Sequence, residues 1–491
     1  MKPTIPLIPA VATLLLAALA TIPTGCVNDD TSPLPFADRT IQLEPSLYDL
    51  AVDLDLDQKR LHGTATIRLR NASDDPADHV PLLLYRLMHV EAVRDGNGQA
   101  MDFTQRVETF ADWDKMQVNY VEIHPSKPLA PAAETTVVVD WSGYLFGYTE
   151  SDMLYVRETI DPEYTLLRPD AYAFPWIGYP HSGVNRSAGL PNFDHRIQVT
   201  VPEPIVAASN GRLADVERED GRVTYTFTSI RPSWRMDVAV APFEIVEEGG
   251  VRVHYLPGDR DGAETILLGF TRAVGTFTEW FGPLPTFEGF NIIELPPDYG
   301  SQTDVTCILQ TADAFRDTES LNQLYHEASH LWNVKLSDLP SPRWEEGLAS
   351  FLEHLLVDLY GGDVTLGDVE RVASRIRERL SDRFTANPRL AEIPMIDYGR
   401  EEMTDLSYSV GMLMFAVLYH LVGPEEFNQV IGGFFRQHHV DGASTEQFVA
   451  HANEVTEVDL DPLFREWLFT TEYRRFVDSE STLAEISDSY R

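Results

Sequence analysis

LNQLYHEASHLWNVKLSDLPSPRWEEGLAS, residues 321–350, carries the pattern that decides the fold of this chain. Leu321, Leu324, Ala328 and Leu331 recur at helical spacing, and no Gly or Pro interrupts Ser320 to Leu339. With Asp317 or Thr318 placed to cap its start, the spacing predicts a helix across this span. Positions i and i+4 of a helix face the same way, so His326 and His330 present two imidazoles to one ion. Glu327, one residue past the first imidazole, reaches a water on that ion rather than the ion itself. The turn Asp338-Leu339-Pro340-Ser341-Pro342 precedes a second helix from Trp344, which folds back to deliver a carboxylate from Glu345 or Glu346. Two His and one carboxylate leave a fourth position open, the arrangement of catalytic rather than structural zinc. The competing reading of the same residues is an exposed, charged helix face.

Upstream of this stretch the period is that of strands. Tyr48, Leu50, Val52, Leu54 and Leu56 alternate with Asp49, Asp53, Asp55 and Asp57, which predicts a half-buried strand. Leu61, Ala65, Ile67 and Leu69 repeat it, and strand-like runs follow at 135–141, 195–201, 222–228 and 236–241. Asn210-Gly211 and Asp220-Gly221 mark turns. Residues 40–247 therefore read as an antiparallel all-β domain. Beyond Val251 a helical stripe runs through Ile266, Phe270, Val274, Phe277 and Phe281 and should stop near Gly282-Pro283. Residues 248–475 read as a mostly helical domain carrying the chemistry, and 476–491 as a C-terminal tail. Cys307 is expected as a buried thiol in a strand. Outside the N-terminus, no apolar run long enough to cross a bilayer is expected.

Composition narrows the function classes. A chain of 491 residues, 43% hydrophobic, is too long for one ordinary domain. Its net charge of −39 gives no electrostatic footprint for a phosphate backbone, so nucleic acid is excluded as a partner. Two cysteines, Cys26 and Cys307, are too few for a disulfide framework or a Cys-rich zinc module, so a metal must rest on His and carboxylates. Residues 1–25 combine Lys2, the apolar run Ile5 to Ile22 and Pro23-Thr24-Gly25 ahead of Cys26. This resembles a bacterial lipoprotein signal, which implies cleavage before Cys26, lipidation of that residue, and an exported protein anchored to a bacterial membrane. Residues 26–39, polar with prolines, read as the tether.

The motif Trp344-Glu345-Glu346-Gly347-Leu348-Ala349-Ser350 following H-E-x-x-H-x-W resembles the aminopeptidase N family of zinc metallopeptidases, of gluzincin type. The resemblance makes Glu346 the third zinc ligand, because it precedes Gly347 as the family glutamate precedes its glycine. Fifteen residues, Leu331 to Glu345, separate it from His330, a shorter connection than the family's. Tyr48 to Leu69, the run Phe193 to Leu213 and Ala241-Pro242-Phe243-Glu244 resemble the family's saddle-like N-terminal β domain. Leu406-Ser407-Tyr408-Ser409-Val410-Gly411 resembles the Y-x-x-G segment whose tyrosine stabilises the transition state, and Asp461 to Trp467 the close of the thermolysin-like domain. The resemblance thus implies a β domain followed by a thermolysin-like, mostly helical zinc peptidase domain, a short form without the large helical C-terminal domain. It also implies one zinc ion, with Glu327 as base and Tyr408 on the oxyanion.

One departure bears on substrate. Family exopeptidases carry G-x-M-E-N, whose glutamate grips the free amine of the peptide. Here the segment reads Pro297-Asp298-Tyr299-Gly300-Ser301-Gln302-Thr303-Asp304, without that motif. In the β domain Arg168 stands where an amine-binding Glu or Gln is expected, and a cation does not hold an ammonium group. Asp304 is then the expected substitute anchor, with Gln302 beside it. The resulting expectation is a zinc metallopeptidase acting on peptides, an aminopeptidase by family habit. An endopeptidase, another exopeptidase, or a non-catalytic peptide-binding lipoprotein are the alternatives.

Overall fold

The computed structural model describes residues 34–151, 153, 156–189, 191–285, 289–317 and 321–491. The expected signal segment, Cys26 and most of the tether lie outside the described residues.

The alternating run folds as a half-buried strand, Leu43–Asp55, with Tyr48, Leu50, Val52 and Leu54 buried along one face. It is the centre of a seven-stranded sheet ordered Arg212–Glu219, Arg222–Thr228, Asp194–Pro202, Leu43–Asp55, Arg60–Asn71, Glu134–Gly143 and Met88–Asp95. Every pairing in it is antiparallel except that of Leu43–Asp55 with Asp194–Pro202, where Leu50 lies beside Ile197. A parallel neighbour requires a long crossover, and here the crossover carries the four-stranded sheet of Asp102–Phe110, Trp113–His124, Val80–Tyr85 and Trp176–Ile177. The two sheets bury one common core, in which Leu50 and Ile67 meet Leu82, Val118 and Ile123.

The handover to the second domain comes earlier than the expected boundary at 247. Val238–Ala241 still pairs with Val206–Ser209, whereas Glu244–Glu248 already opens a five-stranded sheet with Val251–Tyr255, Phe290–Leu295, Cys307–Thr311 and Gln302–Asp304. Gly249 and Gly250, at φ 62° and 85°, turn the hairpin with which this second sheet begins. Cys307 is buried in its strand as expected. Helix Arg260–Phe281 buries Ile266, Phe270, Phe277 and Phe281 and ends at Gly282.

Three expectations in the helical part need correction. The helix bearing the two His spans only Asn322–Ser329, continues as one tight turn over His330–Trp332, and then leaves helical geometry at Asn333 (ψ 146°). It begins at Leu321 without a side-chain cap; Asp317 instead closes the preceding helix Ala312–Arg316. Residues 476–491 are not a loose tail: Ser487 donates to the Val417 carbonyl at 2.9 Å, and Leu483 and Ile486 join the main core. The capping box Thr482/Glu485 was the available signal for that last helix. Finally, helix Asp405–His438 is long and apolar enough to cross a membrane by length and composition. It breaks at Gly423-Pro424, and much of its apolar surface is buried in the core of this domain.

The same helix crosses Trp344–Gly361 at Gly347 and Gly411. A Cβ at Gly347 would lie 2.4 Å from the Gly411 Cα, so these glycines let the two backbones touch. That contact sets Tyr408 over the residue that precedes Gly347.

Candidate active site

His326 and His330 emerge from the same side of their helix with ring centroids 4.8 Å apart. Across from them, in the first turn of Trp344–Gly361, the Glu346 Oε2 lies 3.4 Å from His326 Nε2 and 3.3 Å from His330 Nε2. One ligand atom from each of the three side chains falls within 4.8 Å of the others, which brings the three expected ligands together. Two imidazole nitrogens and one carboxylate oxygen are a donor set that suits zinc, so the residues present fit the metal the family resemblance implies. Burial pushes the Glu346 carboxyl up, but His330, both imidazole contacts and Arg343 outweigh it and hold it well below the usual carboxylate range. Glu345 is not among the converging ligands. Burial, reinforced by the Glu346 charge, pushes its carboxyl up to about 7.

Each ligand is held from behind. His326 Nδ1 lies 2.9 Å from Glu353 Oε2, whose other oxygen is 3.0 Å from His354, and His354 in turn is 2.7 Å from Asp368. Burial raises the Glu353 carboxyl, yet the contacts to His326 and His354 prevail and lower it. His330 Nδ1 lies 2.7 Å from the Asn333 side-chain amide, the same residue at which the chain leaves the helix. Arg343, in left-handed geometry at φ 56°, pairs with the Oε1 of Glu346 and leaves Oε2 to face the imidazoles. None of these three supports was read from the sequence. Glu353 was findable, since it lies two helical turns beyond Glu346 and therefore on the same face. Glu353→Gln should weaken metal affinity about 10–100-fold while leaving the fold intact, as read by competition with a chelator of known affinity. Unchanged retention would reduce Glu353 to a packing role.

Glu327 sits beside the ligand cluster, its Oε2 accepting from the Thr303 hydroxyl, which also donates to the Glu327 carbonyl at 3.0 Å. Thr303 belongs to the edge strand Gln302–Asp304, and with Gly300 at the head of the segment it stands where G-x-M-E-N has its glutamate. The Tyr408 ring stacks on His326 with centroids 5.9 Å apart and planes 10° from parallel. Burial and the neighbouring Glu346 push its phenol well above the ordinary range, so it keeps its proton and remains a donor.

The expected amine anchors are placed differently. Asp304 is buried, with one oxygen accepting from Asn210 at 2.8 Å and the other from Ser233, so it ties the edge strand to the β domain and is not offered to substrate. Arg168 is buried against Glu158. Gln302 accepts at its Oε1 from both Arg168 (3.0 Å) and Arg235 (2.8 Å), which uses up its acceptor.

Residues 304–467 match the peptidase family M1 domain. Aminopeptidase M1-D and aminopeptidase M1-C of rice, Oryza sativa subsp. japonica, are each 22% identical over 301 residues, covering 56% of this chain and 34% of theirs. The chain thus spans about a third of the length of the curated relatives it matches. Among solved structures, a variant M1 zinc metallopeptidase from Deinococcus radiodurans bound to a Tyr-Ser-Ala substrate superposes with a TM-score of 0.62 at 21% identity. That match covers 87% of this chain and 94% of that one. Native yeast LTA4 hydrolase gives 0.65 at 15% identity, covering 87% and 68%. The M1 domain is thus matched across residues 304–467, which include His326, Glu327, His330, Glu346 and Tyr408, and the β domain and helical domain together share the fold of the solved M1 zinc metallopeptidase.

Proposed function

We propose that the protein is a zinc peptidase, one ion per chain, that hydrolyses peptide bonds and removes residues from the N-terminus of peptides. The observation that carries this reading is the convergence of five groups on one site: His326, His330, Glu346, Glu327 and Tyr408. A binding protein that had lost catalysis would not need all five. Zinc, when bound by the first three, supplies a Lewis acid that polarises the scissile carbonyl and acidifies the attacking water. Glu327, with Oε2 held by Thr303, takes the proton at Oε1 and later returns it to the departing amine. Tyr408 donates its phenolic hydrogen to the oxygen on which negative charge develops. Arg343 keeps the ligand carboxylate turned, and Glu353 keeps the His326 proton on Nδ1.

The second reading, cleavage within peptides, is favoured by one observation: Thr303 occupies the motif position of the amine-binding glutamate. Purified protein stripped by a chelator should lose peptide hydrolysis and regain it with one equivalent of zinc. The fragments released from a peptide library then give the direction of cleavage. Full hydrolysis by metal-free protein would overturn the zinc assignment, and products cut internally would favour the second reading.

A further inference from the structure

Behind the metal ligands, a line of polar side chains runs one step deeper than the support of His326 by Glu353. Glu353 meets His326 Nδ1 with one oxygen, Oε2, at 2.9 Å. Its other oxygen, Oε1, lies 3.0 Å from His354 Nε2, and His354 Nδ1 lies 2.7 Å from Asp368 Oδ2. A carboxylate oxygen only accepts, so the imidazole nitrogen is the donor at each of these contacts. The pairing of imidazole with carboxylate behind the metal position is therefore built twice, once on His326 and once on His354.

Helix geometry alone does not produce the second pair. Glu353 and His354 are neighbours in Trp344–Gly361, and neighbouring side chains of a helix point about 100° apart, so they do not face each other unaided. His354 is held toward Glu353 from outside its own helix. Asp368 stands in the first turn of Gly367–Ala386, where its backbone N–H donates to Asp358 Oδ1 at 2.8 Å and its second carboxylate oxygen pairs with Arg371. The side-chain amide of Asn322, at the start of the helix that carries His326, lies 3.3 Å from His354 Nδ1. Three helices thus meet at one imidazole. The side chains of His326, Glu353, His354 and Asp368 are between 12% and 17% exposed, and along this line only Arg371, at 54%, opens to water.

What the second pair supplies is rotational restraint. A carboxylate touched at one oxygen can still turn about its last side-chain bond, and a contact on the other oxygen fixes its plane. We propose that His354, anchored by Asp368, is a positioning residue for the metal centre: it pins Oε1 of Glu353 so that Oε2 stays on His326 and Nε2 of His326 stays aimed at the ion. Resting on the zinc reading of the site, this makes the placement of helix Gly367–Ala386, which supplies no ligand, a determinant of how tightly the metal is held.

Zinc-loaded protein titrated with a chelator of known affinity reads this without any need for hydrolysis. His354→Leu should weaken zinc binding about three- to tenfold, less than loss of the Glu353 carboxylate itself. Two half-replacements separate positioning from packing, since the amide nitrogen of Gln falls where Nε2 was and that of Asn where Nδ1 was. His354→Gln should therefore hold zinc within about twofold of wild type, whereas His354→Asn should weaken it as much as His354→Leu. In a Glu353→Ala background, His354→Leu should weaken binding by less than about a further twofold, because its effect passes through the missing carboxylate. Equal affinities for His354→Gln and His354→Asn would overturn the proposal. So would an undiminished effect of His354→Leu in the Glu353→Ala background, or wild-type affinity in every variant. Wild-type protein that holds no zinc would defeat the zinc reading and this inference together, whereas zinc held without peptide cleavage would count against the peptidase reading alone.

Discussion

Glu327→Gln should retain a full equivalent of metal and lose about two to four orders of magnitude in kcat, the range over which a positioned general base contributes. The expectation follows from a division of labour visible in the geometry. The three ligand atoms belong to His326, His330 and Glu346, and Glu327 is not among them, so its replacement leaves the donor set complete. Glutamine has the same shape, and its side-chain oxygen can still accept from the Thr303 hydroxyl that now holds Glu327 Oε2. What disappears is the basic oxygen. By contrast, His326→Ala leaves one imidazole and one carboxylate, and should lose metal and activity together. Metal content by mass spectrometry or atomic absorption, measured beside peptide turnover, separates the two cases. A Glu327→Gln protein with bound metal and wild-type turnover would remove Glu327 from the mechanism.

Most of what the sequence made legible came from repetition. The alternation through Tyr48 to Leu56 specifies a strand with one buried face because a side chain points to the opposite face at every step. The i, i+4 spacing of His326 and His330 specifies a shared face in the same way. The two motif glycines have an equally simple cause once the helices are seen to cross: Gly347 and Gly411 stand backbone to backbone. The errors have a different origin, since they depend on partners distant in the chain. The helix after His330 was expected to run on because nothing local stops it; the turn of Asn333 onto the His330 ring does. Asp304 was expected to meet the substrate because it is acidic and near the motif, but Asn210 and Ser233, from the β domain, claim both its oxygens. Arg168 read as a cation in the place of an amine-binding residue, whereas Glu158 and Gln302 make it part of a network. Polar side chains compete for partners in three dimensions, and a one-dimensional pattern does not record who wins.

For Tyr408→Phe the expected result is a fall in kcat of about 10²–10³, equivalent to roughly 2.7–4 kcal/mol, with metal content unchanged. Phenylalanine keeps the ring that lies flat against His326, 5.9 Å between centroids, so the support of that imidazole survives and only the hydroxyl is lost. The hydroxyl matters in the transition state because it is a neutral donor in a partly buried site where negative charge appears. Its protonation is secure: burial and the Glu346 charge raise the phenol above its ordinary value, so the proton-bearing form persists through neutral pH and beyond. A raised phenol pKa means that the donor is lost only on the alkaline side, above the ordinary phenol value of about 10. The alkaline limb of a wild-type pH profile near neutrality should therefore not vanish in the Phe variant, since it would belong to another group. An interaction made only in the transition state lowers kcat and kcat/KM together, whereas a ground-state contact raises KM with kcat preserved. If Tyr408→Phe raises KM alone, the phenol binds the resting substrate. If it changes neither constant, Tyr408 serves only as a lid on His326, and the oxyanion must find its donor elsewhere, with Arg343 the nearest alternative cation on the same ligand carboxylate.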